Sequence, residues 1–171
     1  NLKAAEEAMV LLKNDGILPL ENKNMRIAVI GPNAKSRNAL EGNYNGHASE
    51  YVTVADGVRR VFDLADVSVE EGSAMIERRP CGYSGFKNQL SDGIAAAENA
   101  DVAILVLGLD RSVEGEETGV SDDYTDCGDR KYIGLPAAQR ELCDAVCDVC
   151  DNVIVVIMAG STIDIGDKAR A

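Results

Sequence analysis

The chain has 171 residues, enough for one domain with a sizeable core, and its 46% apolar content is ordinary for a globular protein. A net charge of −12 argues against nucleic acid and anionic membranes as partners, because both demand a basic face. No run approaches the roughly 20 apolar residues of a membrane helix, and the N-terminus lacks the basic-then-apolar layout of a signal peptide, although a chain opening at Asn1 reads as a fragment.

Residues 2–13, LKAAEEAMVLLK, place Leu2, Ala5, Met9 and Leu12 at helical spacing, which predicts an amphipathic helix docked on a sheet. Asn14-Asp15-Gly16 stops it, and Ile17–Leu20 follows as a short extended apolar segment. Arg26–Gly31, RIAVIG, is a continuous apolar run, the pattern of a strand buried on both faces. The Gly31-Pro32-Asn33 turn after it lacks G-x-G-x-x-G, and Pro32 removes a donor that a phosphate loop would use. Nucleotide binding is therefore a minor reading.

Gly42–His47, GNYNGH, is a glycine-bracketed polar loop. It is either a tight turn or a sugar-facing segment, since Asn43 and Tyr44 can exchange hydrogen bonds and a ring can stack on a sugar face. A helix over 53–62 has Thr53 as its N-cap, 67–69 is a short strand, and a further helix spans 86–100. Asp101–Leu109 is the second strong apolar run and Asn152–Met158 the third. Between them Pro136–Val149 is helical, with Pro136 where a first turn tolerates it and Leu142, Val146 and Val149 as its buried stripe.

This alternation predicts an α/β fold, a mainly parallel sheet with helices on both faces. Ligands of such sheets collect at the carboxyl ends of the strands, where the loops 31–46, 70–86 and 109–135 fall. The last of these is acidic: Asp110, Glu114, Glu116, Glu117, Asp122, Asp123, Asp126 and Asp129 precede Arg130, with Arg111 the single cation among them. On composition alone it is a solvated face; its length points to function.

Five cysteines are present, and Cys143, Cys147 and Cys150 share one helix face at i, i+4 and i+7. The single histidine, His47, is far from them in sequence, so they read as small buried hydrophobes and no metal or other cofactor is expected. Reduced thiols point to the cytoplasm.

Several segments together resemble the second, α/β domain of glycoside hydrolase family 3, the β-glucosidase and β-xylosidase family. They are AAEEAMVLLKNDGILPL at 4–20, RIAVIGPNA at 26–34, GNYNG at 42–46, ADVAILVLGLDRSVEGEE at 100–117, GDRKYIGLPAAQRELCDAV at 128–146 and NVIVVIMAGS at 152–161. The resemblance is collinear over nearly the whole chain and makes 1–171 a single α/β domain. The family domain continues past the last strand, so a truncated sheet would expose apolar surface and favour a homodimer.

The resemblance implies a retaining glycosidase of β-linked glucosides or xylosides, whose nucleophile is an Asp of a preceding (β/α)-barrel absent from this chain. That N-terminal barrel is the implied partner. The loop Val113–Glu117 would supply the general acid/base, with Glu116 the first choice and Glu114 the second. Asn43 and Tyr44 fall in a xylosidase-like segment on the substrate side, and Asp129 and Arg130 match a DR pair that shapes the loop.

The chemistry asks for the same residue types. Retaining hydrolysis needs two carboxyls roughly 5–5.5 Å apart, one a nucleophile and one an acid that later serves as base. The acid must keep its proton above the ordinary Glu value near ~4.3, helped by neighbouring carboxylates and burial. The alternative is a non-catalytic α/β binding module whose acidic loop, through Asp122, Asp123 and Asp126, holds a cation or a basic partner.

Overall fold

The computed structural model describes residues 2–76, 89–113, 124–127 and 129–167. Ten elements follow in chain order: α1 Leu2–Ala8, β1 Arg26–Ile30, α2 Val54–Val61, β2 Asp66–Glu70, α3 Gln89–Glu98, β3 Val102–Gly108, β4 Thr125–Asp126, β5 Asp129–Arg130, α4 Ala137–Val149 and β6 Val153–Met158. The four longer strands form one parallel sheet in the order β2-β1-β3-β6. Ile27 lies opposite Val67 on one side and Val102 on the other, and Ile104 lies opposite Ile154.

Parallel neighbours require crossovers, and these bury both faces of the sheet. One face carries α2, where Ala55, Val54, Val58 and Phe62 pack on Ile27, Val29, Ile104 and Val106. The other carries α3 and α4, where Ala97, Leu142, Cys143 and Val146 pack on Ala28, Ile30, Leu105 and Leu107. All seven residues of β3 are buried, as its uninterrupted apolar text requires. Leu142 is fully enclosed, so truncating it to Ala costs about 2–5 kcal/mol.

The helix starts follow from local chemistry. Thr53 Oγ1 accepts from Asp56 N, and the Asp56 carboxylate accepts in return from Thr53 N at 3.1 Å, a reciprocal cap on α2. These Thr53 hydrogen bonds, first the side-chain one, hold the Asp56 carboxyl below its ordinary value. In α4 the Pro136 carbonyl receives Gln139 N and Arg140 N, each at 3.0 Å.

Two expectations need correction. The first helix stops at Ala8 instead of running to residue 13, and it docks on nothing among the described residues: Leu2 is 74% and Leu12 79% exposed. Seven residues are too few for a self-supporting helix in water, and its stripe meets no partner among the described residues. Only the extended segment behind it docks, through Ile17 and Leu20 on the α2 face. Val149 is the second correction. It is 38% exposed, and the buried stripe of α4 is Ala138, Gln139, Leu142, Cys143 and Val146. The following Cys150 turns inward in its place, and Cys143 and Cys150 are buried thiols as expected, with Cys147 packed partly against the same core.

The antiparallel pair β4–β5, with Thr125 opposite Arg130, is a feature the periodicity did not signal. Cys127 turns the chain there at φ 49. The turn text Asp126-Cys127-Gly128-Asp129 carries the glycine such a connection favours.

Candidate functional site at the carboxyl ends of the strands

The strand order sets the place of the site. From β1 the chain crosses to β2 on one side, then lays β3 on the other, and ligands of doubly wound sheets bind outside the carboxyl ends at such a reversal. A cleft of about 370 Å³ opens there, with Gly31, Lys35 and Ser36 from the loop after β1, Glu71 and Met75 from the loop after β2, and Asp110 from the loop after β3.

Glycines make the strand ends. A Cβ on Gly31, at φ +138, would sit 2.1 Å from the Val106 carbonyl oxygen, and one on Gly108, at φ +123, would sit 2.0 Å from that of Met158. Each turn re-enters the ladder beyond its glycine: Asn33 N donates to Val106 O at 3.3 Å and Leu109 N to Met158 O at 2.9 Å. The two loops therefore leave adjacent strands by the same device.

Arg111 joins these loops. Its Nη2 lies 3.2 Å from Glu41 Oε2 and its Nη1 donates to Asn45 Oδ1 at 3.0 Å. Glu41, with a side chain only 10% exposed, also accepts from the Tyr51 hydroxyl. The Arg37 guanidinium stands 5.6 Å from the Tyr51 ring centre. Beside Asn45, Tyr44 holds φ 59, a conformation unusual for an aromatic residue, and leaves 89% of itself exposed.

The acidic loop has a defined root. Leu109 and Val113, where it leaves, and Tyr124, where it returns, form a small buried cluster on which Met75, Ile76 and Ile163 pack. The Tyr124 hydroxyl donates to Gly134 O at 2.7 Å, and its ring meets Tyr132 edge-on at 4.8 Å. Asp110 caps the first turn by accepting from Ser112 N at 2.9 Å.

The sequence-predicted residues divide accordingly. Asn43 and Tyr44 lie in the loop fastened by Arg111, while Asp129 and Arg130 form β5, whose following Lys131 N donates to Tyr124 O at 2.9 Å. Glu114, Glu116, Glu117, Asp122 and Asp123 lie outside the described residues. Among the described residues no group of His, Cys, Asp and Glu is placed to hold a metal ion. Glu41, Tyr51 and Gln139 were not singled out as site residues. Only Gln139 left a trace, as the last letter of LPAAQ.

The fold has counterparts among known proteins. Residues 9–171 match the model of the glycosyl hydrolase family 3 C-terminal domain. The chain is 35% identical over 167 residues to Beta-D-xylosidase 1 of Arabidopsis thaliana, covering 96% of this chain and 19% of that one. It is 33% identical over 174 residues to a Beta-xylosidase of Formosa agariphila, covering 96% and 22%. Among solved structures, a GH3 exo-beta-xylosidase in complex with a xylobiose aziridine activity based probe superposes with a TM-score of 0.74 at 29% identity, over 95% of this chain and 19% of that one. A GH3 beta-glucosidase of Bifidobacterium adolescentis gives 0.73 at 30% identity, over 95% and 22%. The chain thus spans about a fifth of the length of these relatives, and it belongs to the glycosyl hydrolase family 3 C-terminal domain family.

Proposed function

We propose that this chain is the acid/base half of a retaining β-glycosidase acting on β-xylosides or β-glucosides, working with a (β/α)-barrel that carries the Asp nucleophile. The observation that supports this most is the root of the acidic loop, clamped by Leu109, Val113 and Tyr124 at the carboxyl end of β3. Fixing both ends of a loop narrows where any group on it can lie, which proton transfer requires.

In this reading Glu116 donates a proton to the glycosidic oxygen as the barrel's Asp attacks the anomeric carbon. It then takes a proton from the water that opens the glycosyl-enzyme. Glu114 is the second candidate, two residues away in sequence and of the same chemistry. Asn43 and Tyr44 face the departing sugar, and Asp129 and Arg130 shape the return of the loop. The relatives named above as xylosidases support the xyloside side of the choice.

The test joins or co-expresses the chain with its barrel and compares wild type with Glu116→Ala and Glu114→Ala. Loss of kcat/KM on aryl glycosides with poor leaving groups, with kcat/KM spared for activated ones, identifies the acid. Wild-type turnover on both substrate types in Glu116→Ala rejects the assignment.

A further inference from the structure

Gln139 is fully buried on the first turn of α4, on a stripe whose other members are apolar. Its Oε1 accepts from Gly108 N at 2.8 Å, and its Nε2 donates to Gly108 O at 2.8 Å and to Met75 O at 2.7 Å. A primary amide offers two N–H donors and one oxygen, so both protons are used. One side chain thereby grips both backbone groups of the last residue of β3 and the carbonyl of the loop after β2.

Those backbone points are the root of the acidic loop. Gly108 precedes Leu109, Leu109 packs with Val113 and Tyr124, and Met75 packs on the same cluster. The helix itself needs no amide to hold it: Leu142, Cys143 and Val146 already seat α4 in the core. A buried polar group in such a stripe costs about 1–3 kcal/mol if its partners are lost, so its hydrogen bonds favour the one arrangement that satisfies them.

We propose that Gln139 is a positioning residue for the acid/base step, fixing where the acidic loop leaves β3. This rests on the reading above and adds a residue that touches neither sugar nor reacting atoms. Its action is geometric. Misplacing the loop by about 1 Å costs proton transfer on the order of 100-fold while leaving the nucleophile's attack on an activated glycoside intact.

The experiment uses the chain with its barrel and the variants Gln139→Leu, Gln139→Glu and Leu142→Ala, the last a core truncation on the same helix that removes no hydrogen bond to Gly108. Each is assayed for kcat/KM on a dinitrophenyl glycoside and on an unactivated β-linked disaccharide, with Tm measured alongside. Gln139→Leu is expected to lose about 10- to 100-fold on the disaccharide and less than about threefold on the dinitrophenyl glycoside. Gln139→Glu should show the same loss at neutral pH and recover as pH falls, because only the protonated carboxyl can donate to Gly108 O or Met75 O. Leu142→Ala should lower Tm without changing the ratio of the two substrates. Equal losses on both substrates in Gln139→Leu, or no acid recovery in Gln139→Glu, overturn the proposal. If Glu116→Ala is selective for poor leaving groups while Gln139→Leu is not, the positioning role alone fails. If neither is selective, the acid/base reading fails with it.

Discussion

Arg111 Nη2 sits 3.2 Å from Glu41 Oε2, an ion pair that fastens the loop after β3 to the loop after β1. The same guanidinium holds Asn45, next to the exposed Tyr44. Arg111→Met removes both bonds and leaves a nearly buried Glu41 with the Tyr51 hydroxyl as its side-chain partner among the described residues. On the proposed function, which sets this loop against the sugar, losing a charged hydrogen bond of about 1–2 kcal/mol raises KM for a β-linked disaccharide by roughly 5- to 30-fold. The turnover of a small aryl glycoside changes little. Steady-state kinetics on the two substrates, with the barrel present, check the split.

A second, solvent-exposed ion pair makes a small contribution to acid sensitivity. Asp101, just before β3, receives Arg26 Nη2 at 2.7 Å and Arg26 N at 2.8 Å. These hydrogen bonds, the side-chain one first, hold the Asp101 carboxyl at about 2, below the ordinary ~3.9. A depressed carboxyl contributes stability that is complete above its unfolded value and disappears as pH falls through its folded one. Urea midpoints measured from pH 5 down to 2 should therefore fall more steeply for the wild type than for Asp101→Asn. Parallel curves would show that the pair carries none of the acid sensitivity.

The glycines predict opposite signs for one substitution. Gly57 lies within α2 with nothing within 4 Å of an added Cβ, so Gly57→Ala stabilises by about 0.5–1 kcal/mol. Gly108→Ala meets the Met158 carbonyl at a positive φ and destabilises by about 2 kcal/mol or more. Denaturant titration of the two variants distinguishes them, and a neutral Gly108→Ala would contradict the packing of β3 on β6.

Removing the reciprocal cap tests the start of α2. Thr53→Ala deletes the acceptor for Asp56 N and one donor to its carboxylate. The loss is about 1 kcal/mol, and Thr53→Ser, which keeps the hydroxyl, should recover most of it.

Much of this fold was legible in the sequence because burial writes itself as pattern. IAVI and VAILVLG are uninterrupted apolar runs because both of their faces are covered, and Thr53 precedes its helix because the cap needs a hydroxyl there. The failures have physical causes as well. Leu2, Met9 and Leu12 have the right spacing for a docked helix, but periodicity records that a stripe wants burial and is silent on what covers it. Val149 keeps the spacing yet sits on the last helical residue, where the chain already turns Cys150 inward. The Arg111–Glu41 contact joins residues far apart in sequence, and no local rule reaches that far. Gln139 went unread because the sequence stripe begins at Leu142, and a polar residue three positions before it gives no local sign of the backbone partners it finds.

The assignment of Glu116 as the acid/base is tested most directly by the product of Glu116→Ala in the presence of azide, with the barrel carrying its intact Asp. Azide replaces the water that a missing base no longer activates and attacks the glycosyl-enzyme from the vacated face. The account predicts restored turnover and a glycosyl azide of β configuration, the same as the substrate. An α-glycosyl azide would make this residue the nucleophile instead, and hydrolysis at the wild-type rate with no azide product would remove it from the chemistry.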